Sequence, residues 1–263
     1  MSQDAPAADA SLVLTEDRGK VRVFTLNRPA QKNAVNGALS TQMAALMDAF
    51  DADPAVSVGV LTGAGGTFSA GMDLKAFLAG ESPFVPGRGF GGLAERPPEK
   101  PLIAAIEGYA LAGGLELALA CDLLVAAENA KLGIPEVKRS LVAAAGAAIR
   151  LPKRIPYHLA MEMALTGDFY PARRCAELGL VNRVTEPGKA LDAALELAEG
   201  LAKNGPLGLV ASKKVMAGSA GGWTEAEAWQ KQREIVDPVF ASEDAKEGAA
   251  AFAEKRAPVW QGK

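Results

Sequence analysis

The sequence contains few of the residues that hold metals or disulfides. Its 263 residues include one histidine, His158, and two cysteines, Cys121 and Cys175, which lie far apart and outside any Cys-x-x-Cys motif. A disulfide framework and a thiolate zinc site are therefore not supported, and a single histidine argues against a histidine metal site. We expect no metal and a reducing, cytoplasmic location.

Excess charge and long hydrophobic runs are also lacking. The net charge is −3, from 28 basic and 31 acidic residues, so binding to nucleic acid or to an anionic membrane is not predicted. The most apolar window, residues 101–127, is interrupted by Glu107, Glu116 and Asp122 and is expected to be buried core. Residues 1–10 lack the features of a signal peptide and are expected to form a frayed tail.

Hydrophobic periodicity predicts alternating strands and helices. Asp73 is the expected N-cap of a short helix, and residues 80–98, dense in Gly and Pro, are expected to form a mobile loop that shapes a binding pocket. Strands are predicted at 21–26, 56–62, 101–106 and 122–127, and helices at 40–50, from about 113 to 120, and at 159–165, 172–178, 191–202, 224–240 and 242–256.

A nucleotide-binding motif and a catalytic motif are each only partly present. Gly63, Gly65 and Gly66 follow a predicted strand, but Phe68 stands where a dinucleotide fingerprint requires glycine, and no P-loop lysine follows. A serine hydrolase would use Ser69 with His158, yet the nucleophile-elbow glycine two residues before Ser69 is missing. For His158, a surface or packing role on a helix is the stronger interpretation.

Glu116 is the most informative acidic residue. Its neighbours within a helical turn are apolar or glycine, and no Lys or Arg lies within ten residues on either side. Such a carboxylate is either buried with a raised pKa or stabilises the start of a helix. Gly113 and Gly114 allow a ligand to approach the free N–H groups of the first turn, which suits an oxyanion hole.

A second glutamate follows the next predicted strand. Pro135 and Gly133 predict a turn that could bring Glu136 near Glu116, and two carboxylates in an apolar cleft can divide acid and base roles. The alternative is a solvated glutamate paired with Lys138 or Arg139.

Taken together, the motifs resemble the crotonase (enoyl-CoA hydratase/isomerase) superfamily over nearly the whole chain. The stretches that carry the resemblance are residues 26–29 (LNRP), 33–34 (NA), 68–75 (FSAGMDLK), 108–118 (GYALAGGLELA), 121–122 (CD), 133–136 (GIPE), 178–182 (LGLVN), 242–248 (SEDAKEG), 251–252 (AF), 255–256 (KR) and Pro258.

The resemblance implies an α/β fold, a spiral of ββα units, with a crotonase-fold core at residues 1–200. It implies a helical C-terminal region at residues 201–263 that builds homotrimers or dimers of trimers. The implied substrate is an acyl-CoA thioester, with coenzyme A as part of the substrate and no other cofactor.

The resemblance also assigns roles to particular residues. The backbone N–H groups of Met72 and Gly113 would form the oxyanion hole, Glu116 would help activate the water that adds to C3, and Glu136 would deliver the proton to C2. The residues implied for the CoA side are Ala34, Ala70, Asp73, Leu74 and Lys255.

Retention of both glutamates favours an enoyl-CoA hydratase of fatty-acid β-oxidation. Residues 137–147 depart from the glycine-rich run of hydratases, which would narrow the pocket, and Lys138 and Arg139 could lower the pKa of Glu136. Residues 151–156 look more like the carnitinyl-CoA dehydratase branch. That dehydratase, an enoyl-CoA isomerase and a non-catalytic acyl-CoA-binding subunit remain the alternatives.

Overall fold

A computed structural model describes residues 11–263. The strands are β1 (Val13–Arg18), β2 (Val21–Leu26), β3 (Val58–Gly63), β4 (Phe84–Val85), β5 (Gly89–Phe90), β6 (Leu102–Ile106), β7 (Tyr109–Leu111), β8 (Leu123–Ala127), β9 (Lys131–Gly133), β10 (Tyr170–Pro171) and β11 (Arg183–Thr185). The helices are α1 (Gly37–Ala52), α2 (Leu74–Leu78), α3 (Gly113–Ala120), α4 (Ala147–Arg154), α5 (Tyr157–Thr166), α6 (Ala172–Glu177), α7 (Ala190–Ala202), α8 (Pro206–Gly221), α9 (Glu225–Phe240) and α10 (Glu243–Glu254).

The main sheet has six strands in the order β1-β2-β3-β6-β8-β11. The first two strands form an antiparallel hairpin, and each later strand adds in parallel. Both faces of its centre are buried: Val60, Ile103 and Val125 pack against helix α7 on one face, while Leu61 and Ala104 belong to the larger core on the other. Burial on both faces explains the nearly continuous apolar runs of these strands.

A smaller sheet, in the order β10-β9-β7, lies beside the main one. Strand β7 leads directly into α3, and β9 leads into a 3-10 helix, Pro135–Arg139. Because β7 and β9 are paired in parallel, with Leu111 opposite Gly133, the segments that follow them leave the same edge of the sheet. This pairing brings the beginning of α3 close to Glu136.

The α/β class and the helical C-terminal region are confirmed. The predicted strands and helices are present with shifted ends. Helix α1 begins at Gly37 rather than at residue 40 because the side chain of Asn36 caps it, accepting a hydrogen bond of 3.0 Å from the N–H of Leu39. Asp73 caps α2 as expected.

Other elements were not predicted. The sequence pattern did not predict the strands β1, β7 and β9 or the helices α4 and α8. These elements are short, mostly exposed or interrupted by Gly and Pro. The expected loop at residues 80–98 is partly wrong, because it contains the hairpin β4–β5 and buries Phe90 and Leu93 in the core. The frayed tail predicted for residues 1–10 lies outside the described residues. Within residues 11–263, no helix is long and apolar enough to cross a membrane.

Candidate active site

A cavity of about 400 Å³ lies between the loop before α2, the start of α3 and the segment after β9. Its wall is mostly apolar, and its ionisable side chains are those of Glu116, Glu136 and Arg139. The structure brings six of the residues implied by the resemblance to this one cavity: Ala70, Met72, Leu74, Gly113, Glu116 and Glu136.

Glu116 lies in the first turn of α3 and is only 3 % exposed. One carboxylate oxygen, Oε1, accepts hydrogen bonds from the backbone N–H groups of Ala145 (2.7 Å) and Ala147 (3.1 Å). Burial raises the pKa of Glu116, while these two bonds oppose the rise by stabilising the charged form. The bonds hold the carboxylate in the cavity wall.

Glu136 lies in the 3-10 helix Pro135–Arg139. Its Oε2 atom is buried and has no hydrogen-bond partner among the described residues. Burial raises the pKa of Glu136 to about 7, and the nearby negative charge of Glu116 contributes to the rise. A carboxyl group of this pKa can hold a transferable proton near neutral pH.

Of the two basic neighbours that could lower the pKa of Glu136, only Arg139 acts in that direction, and the net shift is upward. The Nζ of Lys138 pairs with Oδ1 of Asp168 at 2.6 Å, and the attraction of Arg139 is outweighed by burial and by Glu116. The structure therefore does not support the alternative of a solvated Glu136 that is paired with a lysine or an arginine.

The two backbone N–H groups expected to form an oxyanion hole belong to adjoining segments. A Cβ atom added at Gly71, whose φ is +97°, would lie 2.8 Å from the carbonyl oxygen of Leu111 and 3.0 Å from the nitrogen of Gly113. Neither Met72 nor Gly113 donates its N–H to another described residue. Both donors line the cavity and are available to a ligand oxygen.

The residue before Gly113 has an unusual backbone. Ala112 adopts φ 51° and ψ −130°, a region that costs free energy for a residue with a Cβ. Its N–H donates to the carbonyl oxygen of Gly133 (2.9 Å), a bond between the two segments that leave the small sheet. This bond holds Ala112 in the conformation that begins α3 and directs the Gly113 N–H.

A buried polar pair, which the sequence reasoning missed, supports the loop that carries Met72. Ser69 is fully buried; its hydroxyl donates to the carbonyl oxygen of Asn33 (2.8 Å) and accepts from the N–H of Gly71 (3.1 Å). The side chain of Asn33 in turn donates to the carbonyl oxygens of Ala64 (2.9 Å) and Thr67 (2.6 Å). The sequence signal was the occurrence of Asn33 and Ser69 within the family motifs.

These contacts disfavour the serine hydrolase alternative. The Ser69 hydroxyl is engaged by backbone groups rather than by a base. His158 is exposed on α5, where its ring stacks edge-on against Tyr157 at 5.7 Å between centroids. The structure therefore gives Ser69 no histidine partner.

The remaining residues implied for the CoA side lie outside the cavity wall. Asp73 pairs with Arg28 at 2.9 Å, and the same guanidinium donates to the carbonyl oxygen of Ala34, so these two residues adjoin the Met72 loop. Lys255 is exposed at the C-terminal end of α10 and does not line the cavity of its own chain.

Comparison with known proteins identifies the family. Residues 16–263 match the family model described as enoyl-CoA hydratase/isomerase. The chain is 44 % identical to an enoyl-CoA hydratase of Mycobacterium tuberculosis, over 94 % of this chain and 96 % of that protein. It is 43 % identical to a carnitinyl-CoA dehydratase of Escherichia coli, over 96 % of this chain and 99 % of that protein.

A solved structure agrees. A crystal structure of an enoyl-CoA hydratase from Mycobacterium tuberculosis superposes with a TM-score of 0.93 at 58 % identity, covering 96 % of this chain and 99 % of that one. These matches cover nearly the full length of both proteins, including the segments that carry both glutamates and the two N–H donors. The chain belongs to the enoyl-CoA hydratase/isomerase family.

Proposed function

We propose that this protein is an enoyl-CoA hydratase, a hydro-lyase that adds water across the 2,3 double bond of a 2-enoyl-CoA thioester. The observation that carries the proposal is the presence of Glu116, Glu136 and two free backbone N–H donors around one largely apolar cavity. A thioester carbonyl oxygen would lie between the N–H groups of Met72 and Gly113.

The proposed reaction uses the different environments of the two carboxyl groups. Glu116, fixed through Oε1, removes a proton from a water molecule as the water oxygen bonds to C3. Negative charge then develops on the thioester oxygen, where two fixed N–H donors stabilise it more than they stabilise the ground state. Glu136, protonated near neutral pH, delivers a proton to C2.

A carnitinyl-CoA-type dehydratase is the second candidate. The 43 % identity to a protein named carnitinyl-CoA dehydratase, over nearly the whole length of both chains, favours it. The same two carboxyl groups would run the reaction in the direction of water loss, so only the acyl group separates the two candidates.

Hydration of a panel of 2-enoyl-CoA thioesters, from crotonyl-CoA to long chains and including crotonobetainyl-CoA, tests the proposal. Loss of the conjugated enoyl absorbance reports turnover by wild type, Glu116→Gln and Glu136→Gln. We expect each substitution to reduce kcat by a factor on the order of 10²–10⁴. Binding of CoA esters without turnover would instead support the acyl-CoA-binding subunit, and double-bond migration without hydration would support an isomerase.

We further propose that Ala34, Ala70, Asp73 and Leu74 contribute to the CoA side, and that Lys255 reaches a phosphate in an oligomer. The protein would act in cytoplasmic β-oxidation, without a cofactor beyond its substrate.

We propose that the protein assembles as a homotrimer or a dimer of trimers. Exposed Trp229 on α9 and exposed Phe240 and Phe252 near the C-terminus support association through the helical region. Sedimentation would test for a multiple of the 27.2 kDa chain mass.

A further inference from the structure

Arg139 is a cation in the cavity wall for which the proposed reaction has no use. It follows Glu136 by three residues in the 3-10 helix Pro135–Arg139 and lines the cavity that contains both glutamates. Arg139 forms no ion pair with any carboxylate of the described residues, and it donates no hydrogen bond to any of them. Its guanidinium offers five N–H donors in a rigid fork that matches a carboxylate.

The neighbouring cation shows the contrast. Lys138 is paired with Asp168 at 2.6 Å and does not line the cavity. Both residues are exposed. They differ in that Lys138 is paired with Asp168, whereas Arg139 lines the cavity and has no ion-pair partner among the described residues.

The rest of this part of the cavity is apolar. Leu141, Val142 and Phe169 are apolar residues of the same cavity wall and can hold hydrocarbon. Since Glu136 and Glu116 are assigned to proton transfer, the guanidinium is the one ionisable group of the cavity that remains for recognition. It favours an anion and repels a cation, which also disfavours a trimethylammonium-bearing acyl group.

We propose that Arg139 is a specificity-determining residue that binds a carboxylate at the far end of the acyl group, so that the preferred substrates are CoA monothioesters of unsaturated dicarboxylic acids. The proposal rests on the hydratase function proposed above. The phosphates of CoA are a second source of anionic oxygen. However, the pantetheine arm separates them from the thioester, whereas Arg139 lies close enough to Glu136 for its charge to act on that carboxyl group.

A comparison of two substrates of equal chain length tests this contact. Glutaconyl-CoA carries the terminal carboxylate, and 2-pentenoyl-CoA carries a methyl group in its place; both carry the same phosphates. We expect wild type to have the higher kcat/KM for glutaconyl-CoA. In Arg139→Gln the ratio of the two kcat/KM values should fall about tenfold or more, the loss expected for one charge-assisted hydrogen bond. Arg139→Lys should retain part of the preference because it keeps the charge without the fork.

Lys138→Gln is the matched control, because it removes the same charge from the adjacent residue outside the cavity, and it should leave the ratio unchanged. An equal loss in Lys138→Gln would overturn the proposal in favour of a general field. Equal losses for both substrates in Arg139→Gln would assign the arginine to the CoA phosphates or to Glu136, and would also overturn it.

Binding separates this proposal from the hydratase proposal. If neither thioester is hydrated, the proposed function fails, but calorimetry with the saturated glutaryl-CoA and valeryl-CoA still decides the role of Arg139. Tighter binding of glutaryl-CoA that is lost in Arg139→Gln supports the contact. Equal affinities for the two ligands in wild type refute it.

Discussion

The negative charge of Glu116 contributes to the raised pKa of Glu136, which burial brings to about 7. The two carboxyl groups are not equivalent. Glu116 has two backbone donors at Oε1 that favour its charged form, whereas Oε2 of Glu136 is buried without a partner among the described residues. This asymmetry supports the proposed roles, with Glu116 as the base and Glu136 as the acid.

The pH dependence of hydration should follow the proton on Glu136. Since the protonated form delivers the proton to C2, we expect kcat/KM to fall as the pH rises above about 7. In Glu116→Gln the neighbouring negative charge is absent, so the pKa of Glu136 should be lower and the descending limb of residual activity should move to lower pH. A limb that stays in place would contradict coupling between the two groups.

Glu136 should cost the protein stability at alkaline pH. The folded state retains the proton up to about pH 7, whereas an unfolded glutamate releases it near 4.5, so the free energy of unfolding falls as the pH rises between these values. Glutamine does not ionise. At pH 8 the free energy of unfolding of Glu136→Gln should therefore exceed that of wild type by about 1 kcal/mol. This gain is smaller than the whole pKa difference would give, because the carboxyl group partly contacts water. At pH 4 we expect no such gain. Urea unfolding at both pH values measures this, with exposed Glu81→Gln as the control for a lost charge.

Gly71 should be essential to the oxyanion hole. In Gly71→Ala the new Cβ would lie 2.8 Å from the Leu111 carbonyl oxygen and 3.0 Å from the Gly113 nitrogen. The Met72 and Gly113 donors should therefore separate, and kcat should fall by about 10²–10³-fold. Gly80→Ala is the matched control, because Gly80 has a similar positive φ with nothing within 4 Å of an added Cβ. Equal losses in both variants would attribute the effect to backbone strain alone.

Ser69 should act through the loop and not as a nucleophile. Ser69→Ala removes the bond to the Asn33 carbonyl oxygen and leaves the Gly71 N–H without its acceptor. We expect a loss of about 2 kcal/mol in the free energy of unfolding and a lower kcat. Ser219→Ala, at an exposed position on α8 away from the cavity, should change neither. Covalent labelling of Ser69 by a fluorophosphonate probe would contradict this role and revive the hydrolase alternative.

Several features of the site could be predicted from the sequence because their signals are local. The cap at Asp73 depends on contacts within one turn of helix. The burial of Glu116 could be inferred from its uniformly apolar neighbours. The family assignment rested on motifs spread along the chain, and the comparisons confirm it together with the hydratase prediction. The roles of the individual site residues stay predictions.

Other features depend on contacts between distant segments. The hydrogen bonds of Glu116 come from residues 29 and 31 positions away, and the support of Gly71 by Ser69 depends on Asn33, 36 positions from Ser69. Short strands such as β7 and β9 have too few residues for a periodic pattern, yet their pairing aligns the segments that carry Glu116 and Glu136.

The sequence by itself determined the class of fold, the family and the identity of the two candidate catalytic carboxyl groups, because hydrophobic periodicity, helix caps and motif residues are properties of the chain. Only the tertiary structure decided the chemical state of those groups. Lys138 and Arg139 lie two and three residues after Glu136 in the sequence and could lower its pKa, but burial and the charge of Glu116 outweigh the effect of Arg139 and raise the pKa. A pKa depends on solvent exclusion and on charges close in space, and folding changes both.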